Sequence, residues 1–412
     1  MIRELGLKTK QASKILPTLT TDRKHEILAE MRARLLASVD EILLANTLDI
    51  KNATKKGLSS AMIDRLKLNE ARIQSMADSI SEVAELDDVV GQIVEEYERP
   101  NGLLVQRKRI PLGVIGVIYE SRPNVTIEAA SLCFYAGNGL LLRGGSEAFY
   151  SNRILVRLLK DALATFDLED VINMVDNTDR SSVDEMAKLN DALDVIIPRG
   201  GEGLIRRIYE IATVPVIAHY KGNCHTFVDA TADLSQAIDV CLNAKVQRPG
   251  VCNAMETLLV HEDIADKFLP GLLERMAIED VEIRGCSKTQ KYSKNIIPAT
   301  EKDYDTEFLD LILSVRVVED VSAAIQHIQT YTSDHTEAIL SQNEENIARF
   351  TRALDSSAIM VNTSTRFNDG GQLGLGAEIG ISTTKLHSFG PMGLRELTSV
   401  KFVVRGNGQV RN

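Results

Sequence analysis

The stretch "IPLGVIGVIYESRPNVTIEAASLCFYAGNGLLLRGGSEA", Ile110 to Ala148, decides the fold. Its first apolar run, Val114 to Tyr119, lacks polar alternation and reads as a strand buried on both faces. A helical pattern follows in "TIEAASLCFYA", then a short apolar run "LLLR", Leu140 to Arg143, then two glycines and a further helical pattern from Ser146. Strand, helix, strand, helix in so short a span is the βαβ unit of a parallel sheet.

The same alternation continues downstream. "DVIIPRGG" reads as a strand, "GEGLIRRIYEIA" as a helix and "PVIAHY" as a strand. It resumes in "ETLLV", "ADKFLPGLLERM", "DLILSVRVV", "VSAAIQHIQTY", "EAILSQ", "EENIARFTRAL" and "SAIMVN". The predicted class is therefore α/β, with two doubly wound parallel-sheet lobes. Upstream, "HEILAEMRARLLASVDEILLAN" and "ARIQSMADSISEVAEL" carry apolar residues at helical spacing (Ile27, Leu28, Met31, Leu35; Ile73, Met76, Ile80, Val83) and read as core-facing helices. "LLVQRKR" reads as an extended ribbon. The tail "LTSVKFVVRGNGQVRN" reads as a β-rich segment with little to pack on by itself, suited to pairing with another strand.

Bulk properties narrow the function classes. A chain of 412 residues exceeds what one core usually supports, so more than one domain is expected. The formal net charge of -11 and the absence of a concentrated Lys/Arg stretch argue against nucleic acid as a partner. No run reaches membrane-spanning length and the first residues lack a signal-type apolar core, so a cytoplasmic protein without membrane partners is expected. Five cysteines without CxxC pairs suggest reduced thiols rather than a disulfide framework. The seven histidines do not cluster and "HED" at His261 never becomes HExxH, so no metal is expected.

Two strand-to-helix junctions repeat one pattern: "LLLRGGSEA" and "VIIPRGGEG" each give a strand, an arginine, two glycines and an early helical glutamate. Glycines admit a phosphate or ribose close to the backbone, the arginine adds charge, and Glu147 or Glu202 accepts from hydroxyls. The plainer alternative is a tight turn with the glutamates favouring the helix dipole. Neither GxGxxG nor GxxxxGK[ST] occurs, and "GCSKT" at Gly285 lacks the earlier glycine, which disfavours a P-loop nucleotide enzyme and leaves a non-standard dinucleotide site open.

The punctuated stretch "QRPGVCNAMETLLV", Gln247 to Val260, places Cys252 after a Pro-Gly turn and before a strand. One reading is a loop nucleophile near the Arg248 cation, with backbone N–H groups for an oxyanion; the other is a small buried hydrophobe. Cys133 and Cys241 lie in helical apolar patterns and fit the second. Cys224 and Cys286 stand in loop-like contexts. Asn124 in "SRPNVTIEAA" is either a second oxyanion donor or the N-cap of its helix.

These motifs, with "HYKGNCHTFVD" and "VNTSTRFNDGGQLGLGAEIGISTTKLHSFGPMGLREL", resemble the aldehyde dehydrogenase superfamily nearly end to end, and within it a branch acting on an acyl phosphate. The resemblance implies the aldehyde-dehydrogenase-like fold: a cofactor-binding domain over 1–228 with a return segment 362–390, a catalytic domain over 229–361 carrying Cys252, and a β-ribbon oligomerisation element from 100–112 and 396–412. It implies Cys252 as nucleophile and Asn124 as oxyanion donor. Arg143, Ser146, Glu147, Pro198, Arg199, Gly200, Gly201, His387 and Phe389 are implied at NADPH/NADP, and Arg248 and Arg366 are weaker candidates for the substrate's phosphate and carboxylate. The implied reaction is NADPH-dependent reduction of L-glutamyl 5-phosphate to L-glutamate 5-semialdehyde with phosphate release, in proline biosynthesis. A homo-oligomer is implied, and a separate glutamate kinase as supplier and candidate partner. The hydrolytic members' water-activating glutamate has no counterpart, since no acidic residue occurs between Glu210 and Asp229, and His387 in "HSFGP" replaces a family glutamate. The competing readings are a CoA-acylating aldehyde dehydrogenase and a catalytically silent member serving as a binding protein.

Overall fold

Val114–Tyr119 is buried at every position, with strands pairing on both sides and apolar clusters covering both faces. Val114 and Ile118 enter one apolar cluster while Ile115, Val117 and Tyr119 enter another, so the two-residue period of the strand feeds two helical layers. The computed structural model describes residues 1–218 and 220–411, the side chains of Ser60 and Ala61 excepted. His219 of the motif "HYKGNCHTFVD" and Asn412 of the tail lie outside the described residues.

The chain forms two compact units. The first comprises 1–218, 374–380 and 392–412; the second comprises 219–373 and 381–391. The expected boundary at 228/229 therefore moves upstream. The reason is Cys224–Val228, a fully buried strand that pairs on both sides within the second unit's sheet. Most of the expected return segment also changes sides: 362–373 and 381–391 belong to the second unit.

The first unit holds a parallel sheet ordered Ile172–Met174, Gly139–Gly144, Val114–Tyr119, Val195–Arg199. "PVIAHY" was expected to be a strand; Val216 instead makes a single parallel bridge to Ile196, with two backbone hydrogen bonds around it. Pro215 has no N–H to extend that ladder. The N-terminal helical run divides at Ser38 into Thr21–Ala37 and Val39–Lys55. Ile93–Glu98, Leu104–Pro111 and Thr398–Arg405 form a three-stranded antiparallel ribbon, the tail pairing with the middle strand over its whole length. Ile93–Glu98 was not anticipated, and it is exposed at every position.

The second unit is built on seven parallel strands, in the order Ile297–Pro298, Glu282–Gly285, Ile312–Val318, Met255–His261, Cys224–Val228, Thr336–Leu340, Ala358–Val361. Apolar clusters cover both faces of the sheet. Among the described residues no helix is long and apolar enough to cross a membrane.

Candidate functional site

Cys252 lies at the amino edge of Met255–His261. Helix Leu234–Val246 ends just before it, and Ala254 N–H bonds to the Val251 carbonyl, so Cys252 and Asn253 are the central residues of a tight turn. The thiol is half-buried, whereas Cys133, Cys224 and Cys241 are buried. The turn is held from below. The Cys224 thiol donates to the Cys252 carbonyl at 3.1 Å, and Gly222 passes so close that a Cβ there would stand 1.9 Å from the same oxygen. Gly222 is needed because nothing larger fits against that peptide. Asn223 fixes the approach, its side-chain amide donating to the Tyr304 and Tyr331 carbonyls at 2.8 Å each.

The turn is also held from the side. Asn253 donates to the Asn368 carbonyl at 2.9 Å, and its own amide oxygen accepts from Arg366 Nη1. Arg366 Nε reaches Gln247 at 2.9 Å. Burial, and then the charge of Arg248, push the Arg366 guanidinium below its ordinary value, while Asp369 first, then Cys252 and Cys224, act in the opposite sense. The two arginines singled out in the sequence are thus within electrostatic reach of each other beside the candidate nucleophile, an arrangement suited to an anion. Cys224, Gly222, Asn253 and Asn368 were not singled out. The "KGNC" and "RFND" spacings carried no period that would reveal them, because these residues meet only through the tertiary fold.

Of the two thiols read in loop-like contexts, Cys286 stands in one and Cys224 does not. Cys224 opens a strand, and burial raises its pKa well above the ordinary value, with Glu337 adding to the rise. Cys286 precedes the short helix Ser287–Gln290. Burial pushes its thiol up, but the Thr289 hydroxyl and the N–H groups of Val317, Thr289 and Lys288 outweigh that and hold it below the usual range.

Beneath the turn, Lys245 and Glu256 meet at 2.6 Å with both side chains fully buried. Burial drives the Glu256 carboxyl up to about 7 in spite of the Lys245 attraction, and it drives the Lys245 ammonium down. The contact has the distance of an ion pair, while burial disfavours the charged form of each partner.

The first unit brings the other candidates to the carboxyl edge of its sheet. Successive connections run from Val114–Tyr119 outward to Gly139–Gly144 and Ile172–Met174, then back to Val195–Arg199 on the other flank. Connections diverge at Val114–Tyr119, and the crevice beyond such a point is where doubly wound sheets bind ligands. Glu120, Ser121, Arg199, Gly200 and Gly201 line up there. Gly201 donates its N–H to Glu120 at 3.0 Å, and a Cβ on Gly200 would come within 2.6 Å of that carboxylate. Ser121 has a positive φ of 49°.

Gly201 is the N-cap of Glu202–Ile211 and supplies no side-chain cap; the Glu120 carboxylate takes that place by accepting from its N–H. These features fit a dinucleotide. Glu120 and Ser121 were missed, although "YESRPN" between a buried strand and a helix is where a switch-point residue would stand.

The remaining candidates are placed as follows. Arg143 is buried, its guanidinium donating to the Thr178 and Asp179 carbonyls and the Ser182 hydroxyl. Glu147 accepts from the Ser121 N–H and hydroxyl. Asn124 begins its helix without capping it, the N-cap being Pro123, and its amide donates to Glu128 at 2.8 Å. The capping alternative for Asn124 is therefore set aside. His387 and Phe389 belong to the second unit, in the segment that the Ile381–Ser382 and Gly390–Pro391 strands close, with Lys385 over the Phe389 ring. Among the described residues no metal-holding group of His, Cys, Asp and Glu occurs.

Comparison with known proteins agrees with the α/β fold. The profile of the aldehyde dehydrogenase family matches residues 9–284. A gamma-glutamyl phosphate reductase of Caldanaerobacter subterraneus subsp. tengcongensis is 50% identical over 405 residues, 98% of this chain and 98% of that one. One from Xanthomonas axonopodis pv. citri is 51% identical over 412 residues, the full length of both. The crystal structure of the gamma-glutamyl phosphate reductase from Thermotoga maritima superposes with a TM-score of 0.97 at 46% identity, covering both chains completely. The chain belongs to the aldehyde dehydrogenase family and, within it, groups with the gamma-glutamyl phosphate reductases.

Proposed function

We propose that the chain reduces L-glutamyl 5-phosphate to L-glutamate 5-semialdehyde with release of phosphate, using NADPH, as a step of proline biosynthesis. The observation that carries this reading is the half-identity to named reductases over the whole of both chains. The Cys252 turn, with two arginines beside it, suits an acyl phosphate.

In the proposed mechanism the Cys252 thiolate attacks the acyl carbonyl carbon and the carbonyl electrons move to oxygen. The Cys252 backbone N–H and, on the family pattern, the Asn124 amide donate to that oxygen. When the C=O re-forms, the bond to phosphate breaks and a thioester remains on Sγ. Phosphate is a good leaving group, so no strong general acid is required. Arg248 and Arg366 are proposed to hold the phosphate and the α-carboxylate.

A bound nicotinamide cofactor supplies the hydride that reduces such a thioester. The Gly200–Gly201 junction, Glu120 and Ser121 are proposed to hold it, together with Arg143, Ser146, Glu147, Pro198 and Arg199, and with His387 and Phe389 toward the nicotinamide on the family pattern. Cys252 Sγ departs as thiolate when the aldehyde leaves. A positioned water-activating carboxylate would divert the thioester to hydrolysis, and the segment between Glu210 and Asp229 offers none. The antiparallel ribbon is proposed as the contact of a homo-oligomer, and a separate kinase as the source of the labile substrate.

The test runs the reaction in reverse, with glutamate semialdehyde, phosphate and NADP, following the reduced cofactor by absorbance. Strict phosphate dependence is the expected result. Cofactor reduction without phosphate would overturn the reading in favour of a hydrolytic dehydrogenase, and dependence on coenzyme A in favour of an acylating one.

A further inference from the structure

The second unit has another place where strand connections diverge. Glu282–Gly285 and Ile312–Val318 are neighbours in the sheet. From Glu282–Gly285 the chain passes through the helix Ser287–Gln290 to the edge strand Ile297–Pro298. From Ile312–Val318 it passes through the helix Val321–Tyr331 the other way, to Thr336–Leu340. Adjacent parallel strands whose crossovers leave in opposite directions open a crevice at their carboxyl ends.

A pocket of about 430 Å³ lies there, lined by Lys288 from one crossover, Arg316 to Glu319 from the strand end, and Gln326, His327 and Thr330 from the other crossover. That volume is in the range of pockets that hold small molecules. Cys252 is elsewhere, at the amino edge of the neighbouring Met255–His261.

The pocket's charges are not all spent on one another. Lys288 is paired with Glu262 at 2.7 Å. Arg316 is different: the half-buried guanidinium lies over the Tyr304 ring and 3.3 Å from His327 Nδ1, with Tyr331 also in hydrogen-bond contact. All three partners are neutral acceptors, and among the described residues no carboxylate forms an ion pair with it. An arginine can only donate, so His327 Nδ1 accepts and Nε2 carries the ring proton. That Nε2 has no protein partner although His327 is 6% exposed. On the rim, Glu319 makes no ion pair among the described residues, and Glu301 accepts from the Tyr331 hydroxyl.

A half-buried cation without a carboxylate, facing carboxylates at the rim, matches a small ligand carrying both signs. We infer that this pocket binds a free L-α-amino acid, its carboxylate on Arg316 and its ammonium toward Glu319 and Glu301. Inorganic phosphate fits less well, since the rim carboxylates repel a second negative charge. The site is separate from the proposed reductase chemistry, and its test does not depend on that reading.

The test is saturation-transfer NMR on the full chain with a panel of L-amino acids, their decarboxylated amines, their deaminated acids, and inorganic phosphate. The Cys286→Ala chain is used with Cys252 blocked by iodoacetamide, which closes the nucleophile's site and leaves the pocket, whose Val317 touches residue 286, unmodified. At least one amino acid is expected to bind saturably, with its amine and acid analogues at least tenfold weaker. Arg316→Leu should abolish the signal. Gln326→Trp, at an exposed helix position, should do the same by filling the pocket, and covers the case in which Arg316→Leu fails to fold. Absence of saturable amino-acid binding overturns the inference. So does binding of phosphate alone, or amino-acid binding that survives Gln326→Trp.

Discussion

The Cys224 thiol donates to the Cys252 carbonyl at 3.1 Å, while Gly222 presses on the same oxygen from a position where no side chain fits. The peptide that carries the proposed nucleophile is thus clamped by two residues of the preceding strand entry. Displacing a reacting group by about 1 Å can cost roughly 10²-fold in rate. Gly222→Ala should therefore reduce kcat/KM by about that factor, with the fold retained by circular dichroism. Cys224→Ser keeps a donor and should retain most of the rate; Cys224→Val, which does not, should fall well below it. Equal rates for the two Cys224 variants would show that the contact does not position the loop.

The thiols should separate into two classes under iodoacetamide. Cys133 and Cys241 are buried in apolar surroundings that push their thiols far up, and Cys224 is pushed up as well. Cys252 and Cys286 are half-buried, and Cys286 is held below the ordinary thiol range. Mass spectrometry should therefore find alkylation at Cys252 and Cys286 with the other three protected. Activity should follow Cys252 alone, so Cys286→Ala should leave the rate unchanged. Cys252→Ser should lose nearly all of it, because a hydroxyl is a far weaker nucleophile at neutral pH. Inactivation that tracks Cys286 would remove Cys252 from its proposed role.

The parallel-sheet units were legible in the sequence because buried strands such as Val114–Tyr119 and Met255–His261 have continuous apolar runs bounded by glycines or turns. Cys224–Val228 was not, because a histidine and a threonine interrupt it; they are tolerated there since His225 pairs with Glu337 inside the sheet at 3.0 Å. That hidden strand is also why the domain boundary was placed too late. Cys252, Arg248 and Arg366 could be singled out from residue type and resemblance. The groups that hold them could not: Asn253 and Asn368 are separated by 115 positions and meet through the fold alone. The ribbon's exposed strand Ile93–Glu98 was missed because "IVEEYE" has neither an apolar face nor a continuous apolar run.

Arg366 should act mainly on substrate binding. Its Nε and Nη1 are engaged by Gln247 and Asn253, which fix the guanidinium beside Cys252 rather than neutralise it. A charge-assisted hydrogen bond is worth about 1.5–3 kcal/mol, or roughly 10- to 150-fold in affinity. Arg366→Gln should raise KM for the acyl phosphate by an amount in that range, and Arg366→Lys should recover only part of the loss because the fork geometry goes. A change in kcat with KM untouched would place the residue in transition-state stabilisation instead.

The proposed oligomer contact has a specific weak point. Phe402 and Val404 are 64% and 52% exposed on the tail strand, which is an edge of its three-stranded ribbon. Exposed apolar residues on an unpaired edge are a liability in a monomer and suit strand pairing with a second copy. Phe402→Glu with Val404→Glu should convert the oligomer to a smaller species in light scattering coupled to size exclusion, without loss of helical signal. A monomeric parent protein would refute the contact outright.

The buried Lys245–Glu256 pair should leave a mark on stability against pH. The folded state raises Glu256 from 4.5 to about 7, so between those values it holds a proton that the unfolded chain releases. The stabilisation from this group is complete below 4.5 and is lost as pH rises through about 7. Replacing Glu256 with Gln should flatten the fall in Tm between pH 5 and pH 8, a window around that value. Lys245→Met alone strands a buried carboxyl and should cost about 3–5 kcal/mol when that carboxyl is ionised, and less at acid pH. The double change Lys245→Met with Glu256→Leu should recover much of the loss by giving the site apolar neighbours on both sides. If Lys245→Met were equally destabilising at pH 5 and pH 8, the cost would be one of packing and not of a stranded buried charge.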